Sequence, residues 1–365
     1  MKHVRKIWTA IKIPLFAILC SLIAGGVIIA LTGSNPFKAY YALLQGSGLA
    51  PKSSYASYKS MLTDFFSYVN YFTPMIFAAL AVAVALRAGL FNIGVSGQML
   101  AAGFTASVVV GYSGLNAVLA KPLVLLIGIL AGGLAGALIG LLKYRFNINE
   151  VVSSIMLNYI FQYVVSFFIN TYFVDPVSRQ SREVSSAARL TLMDTPVGNL
   201  KLDIPLGIII ALLVVFLVWF LLEKTKLGYE LKAVGHSRSA AKYAGIRVGR
   251  SMVVSMMISG ALAGLAGVTY YLGYVGSIQP KVLISTGFDA IAVSLLGSNN
   301  PFGIIFSTML VTLIGKGSTY MKSAAGVDSE IASVITGIIL LFSACNVYIK
   351  WRMDRRTEAG KEGKK

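Results

Sequence analysis

Seven uncharged apolar runs dominate this chain: Ile13–Leu31, Phe65–Leu86, Pro122–Leu142, Val151–Phe173, Ile204–Leu222, Met252–Leu272 and Ile331–Ile349. Each is near the ~20 residues that a helix needs to cross a bilayer core. Backbone amides inside that core find no water, so such runs must close their hydrogen bonds as helices. Three further runs, Gly97–Gly111, Ile284–Leu296 and Phe302–Ile314, are short for a simple crossing and leave a re-entrant or tilted course open. The pattern predicts an all-α, polytopic membrane bundle of about ten transmembrane helices. Composition agrees: 56% of residues are hydrophobic and 13% charged, against about 45–50% and 25% in soluble proteins.

Charge placement orients the bundle. With ten spans, 21 of the 32 Lys and Arg fall on one side: before Ile13, at Arg87, at Lys143 and Arg145, between Lys224 and Arg250, and after Ile349. Lys and Arg mark the cytoplasmic side, so both termini are expected in the cytoplasm of a plasma-membrane protein. The net charge of +18 then reflects topology and requires no nucleic-acid partner. The basic start followed by an apolar run resembles a signal peptide, but that run exceeds the 7–15 residues of a signal core. A retained first helix is expected. Residues 1–350 form one transmembrane domain with a cytoplasmic loop at 223–250, and 351–365 form a basic cytoplasmic tail.

The chemistry of enzymes is missing. Cys20 and Cys345 lie in separate apolar runs, and His3 and His236 are far apart, so no metal or redox centre is predicted. No H-E-x-x-H, G-x-S-x-G or useful carboxylate pair occurs. Gly315-Lys316-Gly317-Ser318 is a poor phosphate loop, with Leu310 in place of its first glycine. No catalytic residue, metal or cofactor is expected, and any energy source must lie in another protein.

Three intramembrane patterns stand out. Gly128, Gly132, Gly136 and Gly140 recur every four residues, a face suited to close helix packing in lipid. That face meets either this bundle or another subunit. Ser154, Asn158, Gln162, Ser166 and Asn170 form a second four-residue row. Its amides must face helices or water, either as interhelical hydrogen bonds or as the wall of a path for an uncharged polar solute. Asp289 is the clearly embedded acid, a functional candidate or a helix cap.

The segment Gly228–Ile246 reads as two short helices turning at Gly235, and Ala233, Ala240, Ala241, Tyr243, Ala244 and Ile246 make it too apolar for a solvated loop. It resembles the coupling segment of bacterial ABC importer permeases, in the branch serving branched-chain amino acids, simple sugars and nucleosides. Gly89-Leu90-Phe91-Asn92-Ile93-Gly94-Val95-Ser96-Gly97-Gln98 resembles that branch's N-I-G-x-E-G-Q signature, with Ser96 where glutamate is usual. Phe146–Val152 continuing to Tyr159, and Gly287–Val293 with the Asn299-Asn300-Pro301 turn, are similar to two further family segments. Lys232 and Ser237 replace the usual Arg and Asn of the coupling segment.

The details look most like permeases of nucleoside importers, close to guanosine and general nucleoside uptake systems. That resemblance implies a cytoplasmic ABC ATPase, a second related permease and an extracellular substrate-binding lipoprotein as partners. Expected coupling residues are Glu230, Lys232, Ala233, Gly235, Ala240, Ala241 and Gly245. The residues expected on the path are Asn92, Gln98, Asn158, Gln162 and Asp289. A sugar or amino-acid permease, or a proton-coupled carrier using Asp289, are the competing readings.

Overall fold

The computed structural model describes residues 19–344. The start of the Ile13–Leu31 run, the end of Ile331–Ile349, His3, Cys345 and the basic tail lie outside the described residues. Thirteen helices are present among them. In chain order they are α1 (Leu19–Leu31), α2 (Pro36–Gly46), α3 (Met61–Arg87), α4 (Val95–Ala106), α5 (Ala117–Phe146), α6 (Glu150–Phe168) and α7 (Gly207–Lys224). Then come α8 (Lys226–His236), α9 (Arg238–Tyr243), α10 (Val248–Thr269), α11 (Thr286–Leu296), α12 (Pro301–Ala325) and α13 (Ser329–Ala344).

Six helices are long and apolar enough to cross a membrane: Met61–Arg87, Ala117–Phe146, Glu150–Phe173, Gly207–Lys224, Val248–Val275 and Pro301–Ala325. A seventh is reached if α1 and α2, bent by 114°, count as one span. The chain is thus a multi-pass, mainly helical membrane protein. Val95–Gly111, Thr286–Leu296 and Glu330–Ile339 are shorter apolar helices.

The structure departs from the sequence expectation in three places. The Phe302–Ile314 run extends to Ala325 as a 25-residue helix, because packing covers the residues that interrupt its hydropathy. Gly317 lies where α2 crosses, its Cβ position 2.8 Å from the Leu43 Cα, and Lys316 donates to the Tyr274 hydroxyl at 3.1 Å. Second, the stretch between the Ile13–Leu31 and Phe65–Leu86 runs, which carries no span in the sequence pattern, contains α2. Asn35 caps it by accepting from Phe37 N at 2.9 Å, and Pro36 at the first position needs no amide partner. Third, the all-α reading misses a two-stranded antiparallel hairpin, β1 (Thr191–Val197) and β2 (Leu200–Pro205). An isolated hairpin is marginal in water. This one leans on α3, where Thr191 Oγ1 donates to Asn70 Oδ1 at 3.0 Å.

At the centre stands α3, with Met75 to Val84 entirely buried and surrounded by α7, α10, α11 and α12. Beside it, α5 and α10 make the most extensive helix contact. The glycine row faces α10: a Cβ at Gly132 would lie 2.6 Å from the Gly264 Cα, and one at Gly136 would lie 2.8 Å from the Gly260 Cα. The seam therefore belongs to this bundle.

Contacts gather the basic segments at one end. Gly89 meets Gly235, with a Cβ position 3.0 Å from its Cα, and Arg87 Nε donates to the Asn299 carbonyl at 3.1 Å. Lys143 and Asn147, at the end of α5, border the same groove as Arg238 and Arg247. At the opposite end, Val95–Gly111, Glu150–Phe173 and Val248–Val275 each finish in a π-helical turn, Ser107–Gly111, Ile169–Phe173 and Tyr270–Val275. The 182–190 segment ties these turns together through Arg182 N to Phe173 O, Ser185 N to Gly111 O and Leu190 N to Leu272 O.

Candidate functional site

Two stretches of irregular backbone interrupt the helices: Gly89–Gly94 before α4, largely buried, and Gly276–Ser285 before α11, which continues from the π-helical end with Lys281 and Val282 exposed. Non-helical backbone at membrane depth is tolerated only where protein or enclosed water satisfies it. The polar row of α6 does so here. Asn158 accepts from Gly97 N at 2.9 Å and donates to the Ile93 carbonyl at 3.0 Å. Gln162 donates to the Lys281 carbonyl at 2.6 Å, and Ser166 Oγ accepts from Lys281 N at 2.7 Å. Asn170, last in the row, is exposed because the row drifts around the helix by about 40° per step.

Asn92 and Gln98 join the first break from the other side. Asn92 Nδ2 donates to Gln98 Oε1 at 3.0 Å and to Ser259 Oγ at 2.8 Å, while its Oδ1 accepts from Gly94 N at 3.0 Å. Ser259 in turn donates to the Ala81 carbonyl of α3 at 2.6 Å. Asn92, Gln98 and Asn158 are each buried. Ser96, in the glutamate position of the signature, is also buried and donates to the Ile284 carbonyl at 2.9 Å. A Cβ at Gly287 would lie 2.5 Å from the Ser96 nitrogen, so the start of α11 sits where a longer side chain would have to go.

One consequence is measurable. Asn158→Leu keeps the branching and heavy-atom count but strands a buried donor and acceptor, a cost of about 2–5 kcal/mol. Thermal unfolding of the detergent-solubilised protein should shift well below wild type. Tyr159→Leu, on the exposed side of α6, should leave it nearly unchanged.

Asp289 stands apart from this amide cluster. It lies in the first turn of α11 and borders a cavity of about 530 Å³ with Tyr71, Ser285, Ser318, Glu330 and Thr336. No basic side chain pairs with it among the described residues. The Tyr71 ring packs at a tilt against Tyr274, centroids 5.4 Å apart, and the Tyr274 hydroxyl receives Lys316. This aromatic and acidic wall joins residues from distant segments, so only Asp289 was visible in the sequence. The structure brings Asn92, Gln98, Asn158 and Gln162 to the backbone breaks, and places Asp289 at the cavity.

The seven residues expected to couple lie on α8, on α9 and, at Gly245, just after it, at the basic end. Thr225 caps α8 by accepting from Gly228 N at 3.1 Å, and Ser237 caps α9 by accepting from Ala240 N at 3.3 Å. The turn between the two helices therefore falls at Ser237, in extended conformation, and not at Gly235. Gly235 serves close approach instead: a Cβ there would meet the Arg87 carbonyl and lie 2.9 Å from Gly89 N. Val234 and Ala241 are buried against Ala85, Leu90, Ile139 and Met256, and Leu231 is buried as well. Ala233 is half-buried, Ala240 is exposed, and Gly245 closes the pad with φ +80°. Lys232 pairs with Glu223 of α7 at 3.0 Å, and Glu230 with Lys226 at 3.9 Å. Outward stand Tyr229 and Tyr243, the latter 94% exposed, aromatic groups typical of protein contacts.

The chain is thus a multi-pass membrane protein whose basic end carries a two-helix pad set against the end of the buried central helix. The branched-chain amino acid transport system / permease component family matches residues 65–344, and the chain belongs to that family. It is similar to the guanosine ABC transporter permease protein NupP of Bacillus subtilis, 36% identical over 352 residues, covering 95% of this chain and 97% of that one. It is also similar to the nucleoside ABC transporter permease protein NupB of Lactococcus lactis, at 34% over 93% of this chain and 92% of that one. The glucose ABC transporter permease protein TsgB13 of Haloferax volcanii shares 27% identity over 94% of this chain and 89% of that one. No solved structure matches the chain.

Proposed function

We propose that this chain is the permease subunit of an ATP-driven importer that moves nucleosides across the plasma membrane by alternating access. The observation that carries the reading is near full-length similarity to a guanosine permease. The glucose permease shares fewer residues over a comparable length. The pad of Glu230, Lys232, Ala233, Gly235, Ala240, Ala241 and Gly245 receives a cytoplasmic ABC ATPase. Its seat on Arg87–Gly89 transmits movement to α3. Both termini lie in the cytoplasm and the spans number ten, the short apolar helices included. The gathering of basic segments at one end supports that orientation.

The surface of α6 supports a second related permease. Tyr159 and Tyr163 lie near the middle of Glu150–Phe173, both exposed. Tyrosine prefers the membrane interface, not its centre, so these hydroxyls face a protein or a wet path. Asp289 lies in the first turn of α11, the end of that helix away from Asn299 and Arg87, and that side is where an extracellular substrate-binding lipoprotein would deliver solute. Asn92, Gln98, Asn158 and Gln162 hold the backbone breaks that flank the path.

Uptake of labelled guanosine, adenosine and uridine, with and without this gene, tests the reading. ATP-dependent uptake that survives collapse of the proton gradient is expected, with Asp289→Asn weakening transport by roughly tenfold, the effect of one lost charge-assisted contact. Uptake that follows the gradient and vanishes in Asp289→Asn would instead identify a proton-coupled carrier.

A further inference from the structure

The basic end carries a groove that no transport role accounts for. It measures about 830 Å³ and runs between the end of α5, α9 and the start of α10. Lys143, Arg238, Lys242, Arg247 and Arg250 rim it. Lys143 is neutralised by Glu150 at 2.9 Å, and Arg238 reaches only the Gly89 carbonyl, at 3.4 Å. Among the described residues no carboxylate pairs with Lys242, Arg247 or Arg250. All three are exposed.

Below this rim the wall becomes apolar. Leu141 and Val253 line the groove. One turn further into the membrane, Leu138 and Met257 continue the same two helix surfaces, and both are exposed. Cationic groups thus stand where α5 and α10 leave the membrane, and an unbroken apolar track descends from them between the two helices. A soluble phosphate needs no such track, and an acidic protein surface would not enter it. An amphiphile with a negative head uses both halves.

We propose that this groove binds an anionic phospholipid of the cytoplasmic leaflet, its phosphate on Lys242, Arg247 and Arg250 and one acyl chain along Leu141, Val253, Leu138 and Met257. The orientation rests on the transport reading; the binding chemistry does not. Basic pockets between helices at the cytoplasmic border are suited to such headgroups. The lipid would wedge the α9–α10 joint against α5 and so hold the pad in register with the glycine seam.

The test is native mass spectrometry of the purified full-length permease in detergent, titrated with phosphatidylglycerol or with phosphatidylcholine of the same chains. Tight phosphatidylglycerol adducts are expected, with weak phosphatidylcholine binding. The triple variant Lys242→Gln/Arg247→Gln/Arg250→Gln should lose roughly a hundredfold in phosphatidylglycerol affinity, about fivefold for each basic side chain near an anionic surface. Leu141→Glu, which charges only the apolar wall, should also weaken the adduct. Gel filtration confirms that each variant stays folded. Equal binding of the two lipids, an unchanged triple variant, or displacement of the lipid by millimolar inorganic phosphate would each overturn the proposal. No transport is measured, so failure of nucleoside uptake leaves this result standing, and the reverse holds too.

Discussion

Gly235→Val should abolish transport while leaving the protein in the membrane. The added Cβ would overlap the Arg87 carbonyl and crowd Gly89, and neither side can yield. One is a helix backbone, and the other is the turn at which α3 gives way to the extended segment leading to Asn92. The variant must lift α8 off the end of α3. Val234 and Ala241 anchor the pad elsewhere, so the fold survives and the register between pad and core is lost. A coupling free energy of about 1–3 kcal/mol corresponds to roughly a 5–150-fold effect, and the upper part of that range is expected for uptake. Gly245→Ala is the comparison. Its φ is +80° but nothing crowds the position, so about 1 kcal/mol of backbone strain should lower uptake only slightly. Equal uptake by Gly235→Val and wild type, at equal membrane amounts, would remove Gly235 from the coupling route.

The largest effect on folding is expected at the glycine seam. Gly136→Leu places a four-carbon side chain where even a Cβ would press on the Met256 carbonyl and lie 2.8 Å from the Gly260 Cα. In lipid, helices associate through close packing and not through hydrophobic exclusion, so a forced separation of α5 and α10 forfeits the contact outright. A loss above ~4 kcal/mol is expected, at the extreme of single substitutions. The variant protein should be largely absent from the membrane fraction on immunoblots. Leu134→Ala, two residues away and facing outward, should accumulate like wild type. Normal accumulation of Gly136→Leu would mean that the seam is not what holds these helices together.

Most of the bundle was legible because membrane physics leaves few options. A run of apolar residues with no charge has to be a helix, and the runs at Phe65, Pro122, Val151 and Met252 all lie within observed helices. The glycine row was equally plain, although its partner was not, since proximity of α5 to α10 is a tertiary fact. What stayed hidden was whatever depends on shielding. Lys316 ends the hydropathy signal of α12, yet it is half-buried and the Tyr274 hydroxyl receives it. Gly235 read as a turn because glycine commonly breaks helices, whereas Ser237 both ends α8 and caps α9. The polar row of α6 admitted a path or a set of hydrogen bonds, and its members Asn158, Gln162 and Ser166 bond to backbone. That outcome needed the positions of the two breaks, which no periodicity reveals.

The seam between α5 and α10 also sets a timetable for biogenesis. Helix α5 ends at Phe146 and α10 begins at Val248, so on the order of 100 residues separate the two faces during synthesis. At about 5–20 residues per second, the glycine face waits roughly 5–20 s in the membrane before its partner emerges. Throughout that interval the nascent chain presents a narrow, side-chain-free strip to lipid or to the insertion machinery. Pairing can close only after α6, the hairpin, α7 and the pad have been made, so the coupling surface is built before the core that it will drive.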